Sequence, residues 1–306
     1  MKNIPYSCGK KSATIDFIMH IEYQKLRTEN FPPALREIPE PPKELWVAGE
    51  LPSSETVLLT VVGARRHSPY GREACEALIE GLRGYDIAIV SGLALGIDAI
   101  AHESALRAGL KTIAVPGSGL DPKVLYPRSN VKLAGRIVES GGALLSEYPP
   151  DMKAQVWTFP KRNRIMAGMA KATLIIEAQE KSGTLITTRL ATDYNRDVLA
   201  VPGSIFSPLS MGPNKLIKLG ATPVTTGEEV LLALGFTPEC EGEQHEFDFS
   251  SLSENEQKVM ETLNSPKYRD VVIEECELSI SDGNILLMKM EIAGLIKETP
   301  SGLRRA

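Results

Sequence analysis

From position 57 to position 235, short apolar runs alternate with helical stretches of about ten residues or more, and this alternation leaves few folds open. The runs are VLLTVVG (57–63), IAIVSG (87–92), TIAVPG (112–117), ALLSEYP (143–149), TLIIEA (173–178) and VLAVPG (198–203). Between them lie PYGREACEALIEGLRG (69–84), GIDAIAHESALRAG (96–109), NVKLAGRIVESG (130–141), RNRIMAGMA (162–170) and TLITTRLATDYN (184–195). After the last run come NKLIKLG (214–220), a short ATPV strand and the helix EEVLLALG (228–235). Parallel strands need long crossover connections, and strands covered on both faces read as continuous apolar runs. The pattern therefore predicts a doubly wound α/β sheet over residues 56–236. AVPGS occurs twice, at Ala114–Ser118 and Ala200–Ser204, each time closing an apolar run. Ligands of such sheets bind along the carboxyl edge, so both copies read as strand exits on one rim. For the second copy, a plain Pro-Gly turn is an equal alternative.

The flanks differ in character. Residues 1–55 read as a reduced N-terminal region. One helix is predicted around ATIDFIMHIEYQKL, with Ile15, Ile18, Met19 and Leu26 near one face. A proline-rich extended arm follows over 31–55, where the prolines disfavour regular helix. Residues 237–252 are acidic and aperiodic, which predicts a linker. Residues 253–306 read as three short helices (253–265, 268–277, 279–295) and a terminal hairpin. That order suggests a winged helix-turn-helix, with Ser253 and Glu256 as a capping box.

Composition narrows the function. The chain of 306 residues is 42% hydrophobic and 24% charged, as ordinary globular proteins are. It has no apolar run of membrane-spanning length and no signal-peptide core at its start, so a cytoplasmic protein is expected. The four cysteines (Cys8, Cys75, Cys240, Cys276) lack CxxC spacing and read as free thiols, not as a zinc site or disulfide framework. The net charge of −5 disfavours a nucleic-acid binder until it is divided along the chain. Residues 241–306 hold 14 acidic and 7 basic side chains, a net −7. Residues 1–240 therefore hold 25 acidic and 27 basic, a net +2, which leaves room for basic patches.

Five segments of the predicted rim carry candidate chemistry. In VVGARRHSPYG (61–71), Arg65 and Arg66 follow a strand-end glycine, and guanidinium groups suit phosphate contacts and stacking on bases. In SGLALGIDAIAHESAL (91–106), backbone N–H groups around Ser91 and Gly92 would hold a phosphate oxygen at a helix start. Asp98 and His102 share a helix face there. They read as a loop brace and a packed side chain, with a catalytic pair as the alternative. The loop GSGLDPKVLYPRSN (117–130) holds Gly117, Gly119, Lys123, Tyr126 and Arg128. In WTFPKRNRIMAG (157–168), Lys161, Arg162, Asn163 and Arg164 follow Trp157 and Phe159. Charge beside exposed rings suits single-stranded nucleic acid, with a core role as the alternative for both rings, and the favoured one for Phe159. In IEAQEKSGTLITT (175–188), Ser182, Gly183 and Thr184 open a helix beside Lys181, again an anion cradle. No GxSxG, Walker A, HExxH or conventional GxGxxG occurs, and no carboxylate pair is placed for acid–base work. The rim reads as a binding surface, not as an enzyme, with neither metal nor cofactor expected.

Taken together, VVGARRHSPYG, SGLALGIDAIAH, AVPGSGLDPKVLYP, LLSEYPP, FPKRNRIMAG, IIEAQEKSGTLITT and VLAVPGSIFSP resemble the DNA-processing protein A family, DprA or Smf, over residues 31–235. The resemblance implies an extended Rossmann-like, mostly parallel sheet that binds single-stranded DNA. It also implies protection of incoming DNA, loading of the RecA recombinase in natural transformation, and a homodimer. By motif matching, Arg65 would contact DNA. Ser91, Gly92, Gly117, Gly119, Ser182, Gly183 and Thr184 would form phosphate-facing loops, and Lys153, Arg162, Arg164 and Lys181 would supply charge. Two features depart from the pattern. The usual N-terminal helical domain is reduced or absent, and Ala64 stands where the family has Ser or Thr. Two alternatives remain. One is a nucleoside-monophosphate phosphoribohydrolase-like enzyme, whose PGGxGT loop is here split into PGSG and SGT without the following glutamate. The other is a nucleotide sensor that signals through the acidic C-terminal domain.

Overall fold

Val57–Val62 forms strand β3, and its alternating side chains divide the core. Leu59 and Val61 pack with one hydrophobic cluster, and Val62 packs with the other. Around it the computed structural model describes residues 22–180, 182–237, 252–299 and 302–305. They fall into two compact units, Met1–Pro238 and Glu239–Ala306.

The larger unit is built on nine strands: β1 (Tyr23–Leu26), β2 (Leu45–Gly49), β3, β4 (Ile87–Ser91), β5 (Lys111–Ala114), β6 (Ala143–Ser146), β7 (Ala172–Ile175), β8 (Asp197–Ala200) and β9 (Thr222–Pro223). Their order in the sheet is β1-β2-β6-β5-β4-β3-β7-β8-β9. Strands β3 to β9 are parallel, whereas β1 and β2 join antiparallel at the β6 edge. This is the doubly wound, mostly parallel sheet that the sequence predicts. Helices α2 (Pro69–Glu80), α3 (Ile97–Arg107) and α8 (Gly227–Ala233) cover the Leu59/Val61 face through Leu78, Ile100 and Val230. Helices α1 (Pro33–Arg36) and α5 (Thr158–Met169) cover the other face through Leu35, Ile165 and Met166. Helix α6 (Thr184–Asp193) adds Leu185 beside them. Helix α4 (Val131–Glu139) buries Leu133, Ala134 and Ile137 against Ala48 and Leu144, and α7 (Met211–Lys218) precedes β9.

The N-terminal region departs from expectation. Residues 23–26, read as the end of a helix, form β1, because main-chain pairing with β2 decides their state. Residues 13–21 of that predicted helix, including Ile15, Ile18 and Met19, lie outside the described residues, as do most of the 237–252 linker, Cys8 and Cys240. The proline-rich arm contains a helix after all, since Pro33 occupies its first turn, where a missing N–H costs nothing. Helix α5 begins at Thr158, so Phe159 and Lys161 stand on its first turn and not in a preceding loop.

The smaller unit holds α9 (Glu254–Thr262), α10 (Arg269–Glu275) and α11 (Ile280–Ile292), followed by the antiparallel pair β10 (Ile296–Thr299) and β11 (Gly302–Arg305). Val259, Met260, Val272, Leu287, Met290, Ile296 and Leu303 form its core. The capping box is in place, with Ser253 N–H donating to Glu256 Oε2 at 2.7 Å. Among the described residues, no helix is long and apolar enough to cross a membrane, and no side-chain cluster could hold a metal.

Leu35 is fully buried, and Arg196 Nη2 donates to Ala34 O at 3.0 Å, so the arm is part of the main core. Leu35→Ala is expected to lower unfolding free energy in urea by about 2–5 kcal/mol. A change below about 0.5 kcal/mol would show the arm to be peripheral.

Candidate nucleic-acid interface

From β3 the chain runs outward through β4, β5 and β6, then returns to lay β7, β8 and β9 on the other side. The loops after β3 and β7 therefore diverge and leave a crevice at the carboxyl edge. A cleft of about 840 Å³ occupies it, lined among others by Arg65, Phe159, Arg162, Asn163, Ser182 and Thr184. Its walls are braced. Thr184 Oγ1 donates to Gly63 O at 3.2 Å, tying the start of α6 to the end of β3. Ser68, the cap of α2, gives its N–H and Oγ–H to the buried Glu177 carboxylate at 2.9 and 2.5 Å.

The exposed Arg65 guanidinium lies over the Phe159 ring, 5.5 Å from its centroid, and the Tyr126 ring packs against Phe159 at a tilt, 5.8 Å between centroids. A cation held on a ring in a partly solvated cleft can meet a phosphate while the ring meets a base. Beneath them Arg162 is buried, 4% exposed. It donates Nη1 to Gly92 O at 2.6 Å and to Val115 O, and Nε to Asn163 Oδ1 at 3.1 Å. Burial pulls Arg162 down to about 10, Asp98 opposes that shift and Arg65 adds to it. Asp98 is pushed up by burial and held back by the Arg162 charge. Its Oδ2 accepts N–H from Gly92 at 3.1 Å and from Ala94 at 3.4 Å. The Asp98 brace and packed His102 of the favoured sequence reading are both present. His102 is fully buried, with Nδ1 2.7 Å from Thr112 Oγ1.

The predicted residues separate into cleft-lining, outlying and buried groups. Arg65, Arg66, Phe159, Arg162, Asn163, Ser182, Gly183 and Thr184 all line the cleft. Lys153, Lys161 and Arg128 are exposed cations outside its lining, Lys161 lying 3.9 Å from Glu147 and Arg128 donating to Pro122 O at 2.6 Å. Lys181 lies outside the described residues. Four of the expected phosphate-facing residues are corrected. Ser91 is fully buried and spends its hydroxyl on Val61 O at 2.7 Å. Gly92 lies beneath Arg162, where a Cβ would come within 2.5 Å of the guanidinium nitrogens. Gly117 supports Phe159, whose ring a Cβ there would meet at 2.7 Å, and its carbonyl accepts from Thr158 Oγ1 at 2.5 Å. Gly119 donates its N–H to Met152 O at 2.8 Å within a packed loop. Arg164 is a fifth correction. It is buried in an ion pair with Glu147 and does not line the cleft. In Ser91, Gly92 and Gly119 the polar groups are engaged by the scaffold.

Sequence reasoning missed Glu177 and left Trp157 undecided. Glu177 is a carboxylate at the end of an apolar strand, and that lone charge was its only signal. Trp157 is 54% exposed and packs edge-on against Tyr148 at 5.8 Å, so it is not core.

Residues 23–235 match the family described as DNA recombination-mediator protein A. Protein Smf of Escherichia coli is 38% identical over 288 residues, which cover 91% of this chain and 76% of that protein. DNA processing protein DprA of Streptococcus pneumoniae is 44% identical over 191 residues, 62% of this chain and 66% of that one. Two solved structures are similar. The X-ray structure of S. pneumoniae DprA has a TM-score of 0.63 and 38% identity, covering 72% of this chain and 77% of that one. DNA processing protein A of Helicobacter pylori, described for its unique single-stranded DNA binding mode, has a TM-score of 0.62 and 30% identity. It covers 71% of this chain and 97% of that one.

Burial holds His102 neutral, pushing it from the usual 6.5 down to about 3, with the Arg162 charge contributing. Between those values the unfolded chain binds a proton that the folded one does not. Stability contributed by neutral His102 is thus present above pH 6.5 and lost as pH falls toward 3, by at most about 1.4 kcal/mol per pH unit. His102→Gln is expected to flatten this part of the urea stability profile. A profile as steep as that of the parent protein would contradict it.

Proposed function

We propose that this chain, which belongs to the DNA recombination-mediator protein A family, binds single-stranded DNA along the carboxyl edge of its sheet. The observation that carries the proposal is the Arg65 guanidinium stacked on Phe159 in a cleft lined by Arg65, Arg66 and Arg162 against one buried carboxylate, Asp98. That excess of cations suits a polyanion. Arg66, Val156 and Ile186 at the cleft are exposed, so the site is an open groove, better suited to a strand that passes through than to an enclosed nucleotide. In this reading Arg65 and Arg66 meet phosphates, and Phe159 and Tyr126 stack on bases. The backbone of Ser182, Gly183 and Thr184 takes a phosphate oxygen, and Lys153, Lys161 and Arg128 supply outlying charge.

The finer role rests on family membership. We infer protection of incoming single strands and loading of the RecA recombinase during natural transformation, by a cytoplasmic homodimer without catalytic turnover. The helix–helix–helix–hairpin order of the C-terminal unit supports reading it as a winged helix. Its third helix turns Ile285, Met288 and Ile292 to solvent, which suits a protein contact better than a phosphate backbone.

Fluorescence anisotropy with labelled oligo-dT over a salt series tests the binding directly. Affinity is expected to fall steeply as salt rises and to exceed that for duplex of the same length. Arg65→Ala is expected to weaken binding about tenfold, roughly 1.4 kcal/mol, with an unchanged melting temperature. A flat salt response, or unaltered affinity in the variant, would reject the site.

A further inference from the structure

Phe206 is 89% exposed and its neighbour Ile205 81% exposed, in the segment that joins β8 to α7 after the second AVPGS. The segment is firmly built. Asn214 Nδ2 donates to Gly203 O at 3.0 Å and Gly203 N–H donates to Asn214 Oδ1 at 3.3 Å. Phe206 N–H donates to Ser204 Oγ at 3.2 Å, and Tyr70 Oη–H donates to Pro202 O at 2.5 Å. None of these bonds uses the Phe206 ring. A braced turn thus holds a large aromatic in water and forgoes its burial. The segment also borders the groove. Leu209 lines the cleft, and its carbonyl accepts Ala178 N–H at 2.8 Å.

Strand order places this ring relative to the first one. Phe159 stands against Gly117 at the exit of β5, Arg65 follows β3, Ser182 to Thr184 follow β7, and Phe206 follows β8. From β5 to β8 the sheet runs β5-β4-β3-β7-β8, four strand spacings, or about 19 Å. At the stacked rise of 3.4 Å per nucleotide, that distance is about six nucleotides. We propose that Phe206 is a second base-stacking platform. A single DNA strand would cross the strand exits from the Tyr126/Phe159 ring pair, past Arg65 and the start of α6, to stack a base on Phe206.

The inference rests on the single-stranded DNA reading above and is tested separately from it by length. Binding of dT4 and dT12 would be measured by anisotropy, with competition for the shorter strand. Phe206→Ala is expected to leave dT4 affinity unchanged and to weaken dT12 about tenfold. Phe206→Trp should retain dT12 affinity, whereas Phe206→Leu, apolar but without a π-face, should behave as Ala does. With the ring exposed, all three variants should melt as the parent protein does. An alanine variant that binds dT12 normally, or loses both lengths equally, would overturn the second platform while leaving the first site standing. Failure of the parent protein to bind either strand would overturn both.

Discussion

The buried Arg162 guanidinium is the constraint on which the rest of the site depends. A cation withdrawn from water costs several kcal/mol unless its donors are satisfied and its charge is balanced. Here the carbonyls of Gly92 and Val115 accept from one nitrogen, Asn163 accepts from another, and Asp98 balances the charge while holding the N–H of Gly92. The Gly92 residue is thus gripped from both sides, carbonyl to arginine and amide to aspartate. This fixes the first turn of α5 onto the ends of β4 and β5. Phe159 sits three residues before Arg162 on that turn, so the same clamp sets the ring on which Arg65 rests. The orientation of the exposed cation is therefore decided by a buried one.

Three arginines of the rim show how burial divides labour among identical side chains. Arg65 is exposed and free to meet a ligand, Arg162 organises two strand ends, and Arg164 is neutralised by Glu147. The glycines divide likewise. Gly92 and Gly117 are small because a guanidinium and a ring must approach them closely. Gly183, with open space around its Cα, stands at the mouth of α6 where an anion could enter.

The sheet was legible because strand and crossover periods are imposed by the core itself, and Leu59, Val61 and Val62 had nowhere else to go. The edge that carries the cleft was legible too, since parallel strands all end on one side. The loops around Gly92 and Gly117 were misread for a physical reason. A sequence shows that a residue is small or polar, not whether its hydrogen-bonding capacity is spent inward. Ser91 and Val61 are thirty positions apart, and Ser68 and Glu177 more than a hundred, so neither pairing leaves a local trace. Residues 23–26 failed for a related reason: β2 dictates a strand there against the local helical pattern.

Photo-crosslinking of a halogenated-thymidine single strand to the intact protein, with the modified peptides mapped by mass spectrometry, tests the central claim most directly. Adducts are expected within the segments that hold Tyr126 and Phe159 at the carboxyl edge of the sheet. Adducts confined to Tyr23 and Trp46 on the β1–β2 strands, or to Tyr268 in the C-terminal unit, would contradict it.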